Sequence, residues 1–446
     1  MLTTQALVPA GTRVHPVSTD GYWWVVECIG EGSQGAVFRV ENDERALLAL
    51  KWYHPAAATD EQWRALEYLL DQDAPSERFL WPIDLVLIEG VPGFGYLMPL
   101  RDTNFVGMAD VVSRRRDISF RIACTVGLHL AESFLMLHSR GLCYRDISFG
   151  NIFLNPEDGS ILICDVDNVG IDGVDESQVL GTPYFMAPEI LTGKALPSTR
   201  TDQFSLAVLL FFLFINHHPL EGRRALTYDV WDAQAQLEVF GISPLFIFDP
   251  HDDSNRPVPG YQDAPLALWP VYPQLLRDRF CRSFGEGLND ADNGRVADSL
   301  WRSDMVRIRD SIVRCAKCSR ENFFEAGRPT VCWSCRTVVP EPLRLRITRA
   351  IRESPIAARE VVLDEGTIIY SHHVALDYDF ASPVAKVVPH PSKPGRRGLK
   401  NLGPGSWRAT GPTGAVQEGP PGSSLNLRPG IRFQVGPVRA EIVGPD

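Results

Sequence analysis

The stretch LHSRGLCYRDISFGNIFL, residues 137–154, decides how this chain is read. A helical apolar pattern (Ile122, Val126, Leu130, Phe134, Leu137) runs into it, a short polar loop carries Asp146 and Asn151, and Ile152, Phe153 and Leu154 turn apolar again. A carboxylate held in such a loop can accept or orient a hydroxyl proton, and an amide oxygen nearby suits a hard cation. Just downstream, ILICDVDNVG (161–170) drives an apolar strand into Asp165, a strand-end carboxylate that is either a turn residue or a second candidate hard-oxygen ligand.

Upstream, IGEGSQGAVFRV (29–40) spaces Gly30, Gly32 and Gly35 as GxGxxG with Val37 close behind. Glycines let a backbone approach phosphate groups, but the motif alone is weak evidence. A dinucleotide-binding turn needs a helix after the third glycine, whereas AVFRV continues as strand, so a hairpin is expected. ALLALKWYHP (46–55) then places Lys51 on the next strand. In TDEQWRALEYLL (59–70), Glu61 and Glu67 are both available as its carboxylate partner, and Glu67, which precedes an apolar run, is preferred. Farther on come GTPYFMAPEI (181–190), with Thr182 and the Ala187, Pro188, Glu189 triplet, TDQFSLAVLL (201–210) and NGRVADSLW (293–301).

In this order the elements resemble the eukaryotic-like protein kinase superfamily over residues 21–311, with an N-lobe at 21–100, a C-lobe at 101–311 and residues 1–20 as an N-terminal extension. The resemblance implies an α+β bilobal fold using ATP and Mg²⁺ or Mn²⁺. It implies Asp146 as catalytic base, Lys51 on the phosphates with Glu67 steadying it, and Asn151 and Asp165 as Mg²⁺ ligands. Gly30, Glu31, Gly32, Gly35, Val37, Ala49, Met98 and Leu100 are then the ATP-binding residues, with GYLMPL (95–100) as the interlobe hinge. Ser177 and Thr182 become activation-segment sites, Arg145 a phosphate partner, Asp202 the anchor of the catalytic loop and Arg295 the partner of Glu189.

Three positions depart from that pattern. Tyr144 replaces the histidine before Arg145 and Asp146, and Ser148 stands where a lysine usually follows the catalytic aspartate. The third departure is Asp165, Val166, Asp167 in place of DFG, which removes a glycine and adds a carboxylate that either binds a second cation or caps a turn. Such DVD variants resemble a bacterial kinase subgroup with zinc ribbons, associated with von Willebrand type A proteins and metal-dependent protein phosphatases.

At 446 residues the chain is long enough for two or three domains. Its net charge of −11 lacks the broad positive field that holds a nucleic-acid backbone, so no nucleic-acid partner is expected. FSLAVLLFFLFI (204–215) falls short of the roughly 20 residues that span a bilayer, so it is read as a buried core helix with no membrane partner. The first residues show no charged, apolar, small-residue signal pattern, and the expected location is cytoplasmic.

Cys315, Cys318, Cys332 and Cys335 read C-x2-C-x13-C-x2-C, the spacing of two knuckles around a structural Zn²⁺, which predicts a zinc ribbon over 312–338. The last segment, 345–446, is rich in Gly and Pro, with strands expected at 361–369, 384–388 and 431–435. Its closing half resembles a forkhead-associated (FHA) β-sandwich. The arginine, serine and histidine of a phosphothreonine reader are not supplied, and Asn401 alone matches.

The leading expectation is a serine/threonine protein kinase acting on protein substrates, with a tail for partner recognition. The alternative is a nucleotide-binding pseudokinase scaffold, motivated by Ser148 and Asp167. A small-molecule kinase is disfavoured by the APE segment, which shapes a peptide platform.

Overall fold

A computed structural model describes residues 8–174, 181–351, 354–375, 377–390, 396–435 and 438–445. Contacts divide the chain into two units: residues up to 118 with 125–269 and 278–302, and residues 119–124 with 270–277 and everything from 303.

In the first unit, strands β1 (Arg13–Pro16), β2 (Trp23–Glu31), β3 (Gly35–Glu41), β4 (Leu47–Tyr53), β5 (Asp84–Ile88) and β6 (Val91–Pro99) close into a barrel of order β1-β2-β3-β4-β6-β5. Val14, Val25, Ala36, Phe38, Val40, Leu50, Trp52, Val86 and Leu97 fill it. Because β1 pairs with both β2 and β5, residues 8–20 are part of this lobe and not an extension before it. Alternation along β4 turns Leu50 and Trp52 into the barrel and leaves Ala49, Lys51 and Tyr53 on the opposite face. That face is buried too, beside helix α1 (Asp60–Leu70). Thr59 caps α1 by accepting the Gln62 N–H, while Leu66 and Leu69 turn inward and Glu67 faces solvent.

The helix Thr199–Ile215 is buried throughout from Thr201 to Ile215, as expected of a core helix. It opens with a Ser198/Thr201 capping box and stops where Asn216 turns left-handed at φ 56°. Backbone hydrogen bonds from Leu80 to Ile163 and from Ile163 to Arg78 join the barrel lobe to the helical lobe.

In the second unit, the cysteine knuckles sit on two hairpins, Ile312–Arg314 with Glu321–Phe323 and Thr330–Val331 with Val338–Val339. Beyond them lie a six-stranded and a four-stranded antiparallel sheet. The first runs Ser354–Val362, Arg344–Ile351, Val438–Val443, Arg432–Val435, Trp407–Thr410, Val416–Gly419; the second runs Ile368–Tyr370, Pro383–Pro389, Arg397–Asn401, Ser424–Asn426. One core, including Ile347, Val361, Val387, Leu399, Trp407, Phe433 and Ile442, draws on both sheets. The strand expected over 361–369 is two strands parted by a turn at Gly366, whose φ is +81°. The boundary expected at 311 also moves, since residues 303–311 belong with the hairpins and sheets. Aromatic packing explains why 119–124 and 270–277 join them: Phe120 stacks on Phe323 at 5.1 Å and Tyr272 lies 5.4 Å from Phe323.

Candidate active site

Lys51 is almost fully buried, and its ammonium reaches Asp165 Oδ1 at 3.1 Å, Asp167 Oδ2 at 2.8 Å and Gln34 Oε1 at 3.3 Å. Burial alone lowers a lysine pKa, but the Asp167 and Asp165 carboxylates outweigh it and hold the ammonium charged. The carboxylate partner expected from α1 is not there: Glu67 is exposed, as is Glu61, and α1 turns the neutral Gln62 toward the site. Gln62 Nε2 donates to the Tyr53 hydroxyl at 3.1 Å and to the Asp167 carbonyl at 3.3 Å.

Asp167 neither caps a turn nor offers a vacant oxygen. Its carboxylate also accepts the hydroxyls of Tyr53 at 2.6 Å and Tyr96 at 3.2 Å. Asp165 adopts the left-handed region, φ 48° and ψ 44°, without a glycine hinge after it. Burial raises the Asp165 carboxyl above the usual range; Lys51 opposes the rise and Asp167 adds to it.

Around this centre, Val37, Ala49, Met98 and Leu100 join one apolar cluster with Tyr96, Leu162 and Cys164. Gly30, Glu31 and Gly32 are exposed along the β2–β3 hairpin. Gly35 differs from the other two glycines. A Cβ there would sit 2.3 Å from the Trp52 carbonyl oxygen, while Gly30 faces open space.

The catalytic-loop residues converge. Asn151 Nδ2 donates to the Asp146 carbonyl at 2.8 Å and to Asp146 Oδ2 at 3.0 Å, and Thr182 Oγ1 donates to Asp146 Oδ1 at 2.7 Å. The amide nitrogen is thereby committed inward, which leaves Asn151 Oδ1 as that side chain's ligand atom. Together with Asp165, whose side chain is 38% exposed, it offers the hard oxygens that Mg²⁺ takes, so the donor set fits the ion. Tyr144 fills the histidine position, fully buried, with its hydroxyl on the Cys164 carbonyl. Ser148 is buried as well. Arg145 donates to the Val174 carbonyl at 3.2 Å, and Ser177 lies outside the described residues.

Supports expected for the loop are in place. Asp202 accepts the backbone N–H groups of Tyr144 at 2.5 Å and Arg145 at 3.0 Å, and Arg295 grips Glu189 through two contacts of 2.7 and 2.8 Å. Sequence reasoning missed His138, whose ring bridges Asp202 at 3.1 Å and Asp298 at 2.8 Å. Burial lowers its pKa, but the two carboxylates bring it up to about 10. It also missed Gln34, Tyr53 and Tyr96, because only the folded sheet places them beside Lys51.

In the second unit, Cys315 Sγ lies 3.6 Å from Cys335 Sγ and Cys318 Sγ 3.6 Å from Cys332 Sγ, with all four sulfurs within 4.8 Å of one another. Ser319 and Arg336, one after each CxxC, both take φ 59°, so the two knuckles share a fold. Bonding from Thr337 lowers the Cys335 thiol pKa to about 6, which favours thiolate. Asp310, His372 and His373 form another cluster, but His373 Nδ1 accepts the Tyr370 N–H and its Nε2 then donates to Asp310. That tautomer leaves no ring lone pair for a cation. Asn401 is committed inward too: it is buried, donating to the Gly405 and Gly419 carbonyls and accepting from the Gly403 N–H, so it is not presented to a ligand.

Residues 97–257 match the protein kinase domain family. The chain is 33% identical over 116 residues to the probable serine/threonine-protein kinase CCRP1 of Zea mays, which covers 25% of this chain and 18% of that protein. It is 27% identical over 186 residues to the dual serine/threonine and tyrosine protein kinase of Gallus gallus, 37% of this chain and 18% of the relative. With NUAK family SNF1-like kinase 2 of Rattus norvegicus it shares 25% over 210 residues, 44% and 31% of the two chains. It thus spans about a fifth to a third of the length of these curated relatives. Asp146, Asn151 and Asp165 fall inside the matched stretch, and the match supports a protein kinase domain of α+β fold.

Proposed function

We propose that this chain transfers the γ-phosphate of ATP to serine or threonine hydroxyls of protein substrates. The observation that carries the reading is Asp146, with one carboxylate oxygen on the Thr182 hydroxyl and the other on the Asn151 amide. A substrate hydroxyl replacing that of Thr182 would meet a carboxylate already fixed in orientation, which positions the nucleophile at little further entropic cost. In the reaction the bond from the γ-phosphorus to the ADP oxygen breaks, the hydroxyl oxygen takes its place, and the proton passes to Asp146. Lys51 would hold the phosphates, and Asn151 and Asp165 would hold Mg²⁺, an ion that supplies neutralisation of phosphate charge.

Ser148 removes a cation from beside the γ-phosphate, and that observation favours the second reading, a nucleotide-binding scaffold without transfer. Incubating purified chain with γ-labelled ATP and Mg²⁺ or Mn²⁺, alongside Asp146→Ala, separates the two. Label on protein with the wild type alone supports transfer; equal silence from two nucleotide-binding proteins supports the scaffold.

The four cysteines are proposed to hold one structural Zn²⁺, and the two sheets of 344–443 to form an FHA-like partner-recognition domain. The order of its strands, with the first beside the last in the six-stranded sheet, supports that reading. A von Willebrand type A protein and a metal-dependent phosphatase are the proposed partners, and pull-down with each tests them.

A further inference from the structure

We infer that Asp167 is the positioning residue for Lys51, filling the role that a carboxylate on α1 would otherwise take; this rests on the kinase reading above. An ammonium has three protons to place. Here they face Asp165, Asp167 and Gln34, and the two carboxylates differ sharply in setting. The Asp165 side chain is 38% exposed, whereas that of Asp167 is 1% exposed. With nucleotide and cation bound, Asp165 would serve the cation and Gln34, on the glycine loop, would give way to phosphate. Two protons of Lys51 become available to phosphate while the third stays on Asp167.

Asp167 is built for a permanent partner. Its Oδ1 accepts from Lys51 at 2.9 Å and Tyr96 at 3.2 Å, its Oδ2 from Lys51 at 2.8 Å and Tyr53 at 2.6 Å. Three donor groups, Lys51, Tyr53 and Tyr96, make four contacts that occupy both carboxylate oxygens, which sets Asp167 toward these partners rather than toward a second cation. The helix contributes only the neutral Gln62 amide, through Tyr53 and the Asp167 carbonyl. The lysine is therefore anchored by the segment that bears the metal aspartate, two residues away. Rotation of α1 does not unpair Lys51, and the extra carboxylate of the DVD sequence replaces a helix carboxylate rather than impairing the site.

The test is metal-free binding of a fluorescent ATP analogue, with turnover and thermal unfolding followed in parallel, for wild type, Asp167→Asn, Asp167→Asn/Gln62→Glu and Glu61→Ala/Glu67→Ala. Loss of a charge-assisted hydrogen bond predicts about tenfold weaker binding for Asp167→Asn. Gln62→Glu, which returns a carboxylate from the helix, should recover most of it, and Glu61→Ala/Glu67→Ala should bind as wild type does. Wild-type affinity in Asp167→Asn, or a loss that Gln62→Glu leaves unrepaired, overturns the inference while the kinase reading stands. A wild type that binds no nucleotide sinks both. Should Asp167→Asn fail to fold, the helix double variant decides: unchanged affinity supports the inference, and a tenfold loss overturns it.

Discussion

Lys51 Nζ and Asp167 Oδ2 lie 2.8 Å apart, with side chains 5% and 1% exposed. Removing one partner strands the other charge in the interior. Lys51→Met should therefore cost stability as well as nucleotide binding, about 3–5 kcal/mol for a broken buried pair. Urea titration of both proteins checks this. A variant that loses nucleotide but keeps wild-type stability would show that the pair contributes nothing to the fold.

His138 predicts a pH dependence. Its folded pKa of about 10 exceeds the ordinary 6.5, so its contribution is complete below pH 6.5 and is lost as pH rises through 10. The thermal midpoint of His138→Gln should fall well below wild type at pH 6, and the gap should close toward pH 10. A constant gap across that range would mean the ring is neutral.

The glycine loop separates space from flexibility. Gly35→Ala pushes a Cβ to 2.3 Å from the Trp52 carbonyl oxygen, so β3 or β4 must shift, at about 1–3 kcal/mol. Gly30→Ala meets nothing within 4 Å and should leave stability within about 0.5 kcal/mol. Denaturant unfolding of the pair distinguishes the two sites.

Elemental analysis of the purified chain should find one zinc per molecule, and Cys332→Ser should lose it. Cys332 is buried in a small cluster with Val313, Val339 and Val362, so metal loss should also lower the unfolding midpoint. No zinc in the wild type would remove the ribbon.

What the sequence made legible follows from how local each signal is. Asp146, Asn151 and Asp165 sit in short motifs of fixed spacing, and Cys315, Cys318, Cys332 and Cys335 in two CxxC pairs whose sulfurs the fold gathers within 4.8 Å. Asp202 and Arg295 were legible because an ordered series of motifs marks them. The apolar run after Glu67 points it inward in the sequence, whereas in the helix Leu66 and Leu69 turn inward and leave Glu67 in solvent. Asp167 was seen, but its partner lies 116 residues away in the chain. Only the folded sheet, which lines up Lys51, Tyr53 and Tyr96, shows what that carboxylate is for.

The central claim, phosphoryl transfer, is tested most directly by incubating the full chain with γ-labelled ATP, Mg²⁺ and a generic protein acceptor, followed by phosphoamino-acid analysis. The account predicts phosphoserine and phosphothreonine from wild type, and a loss of about a hundredfold or more in Asp146→Ala at unchanged nucleotide affinity. Label on tyrosine alone would contradict the hydroxyl preference. A wild type as silent as Asp146→Ala, with ATP bound to both, would contradict catalysis itself.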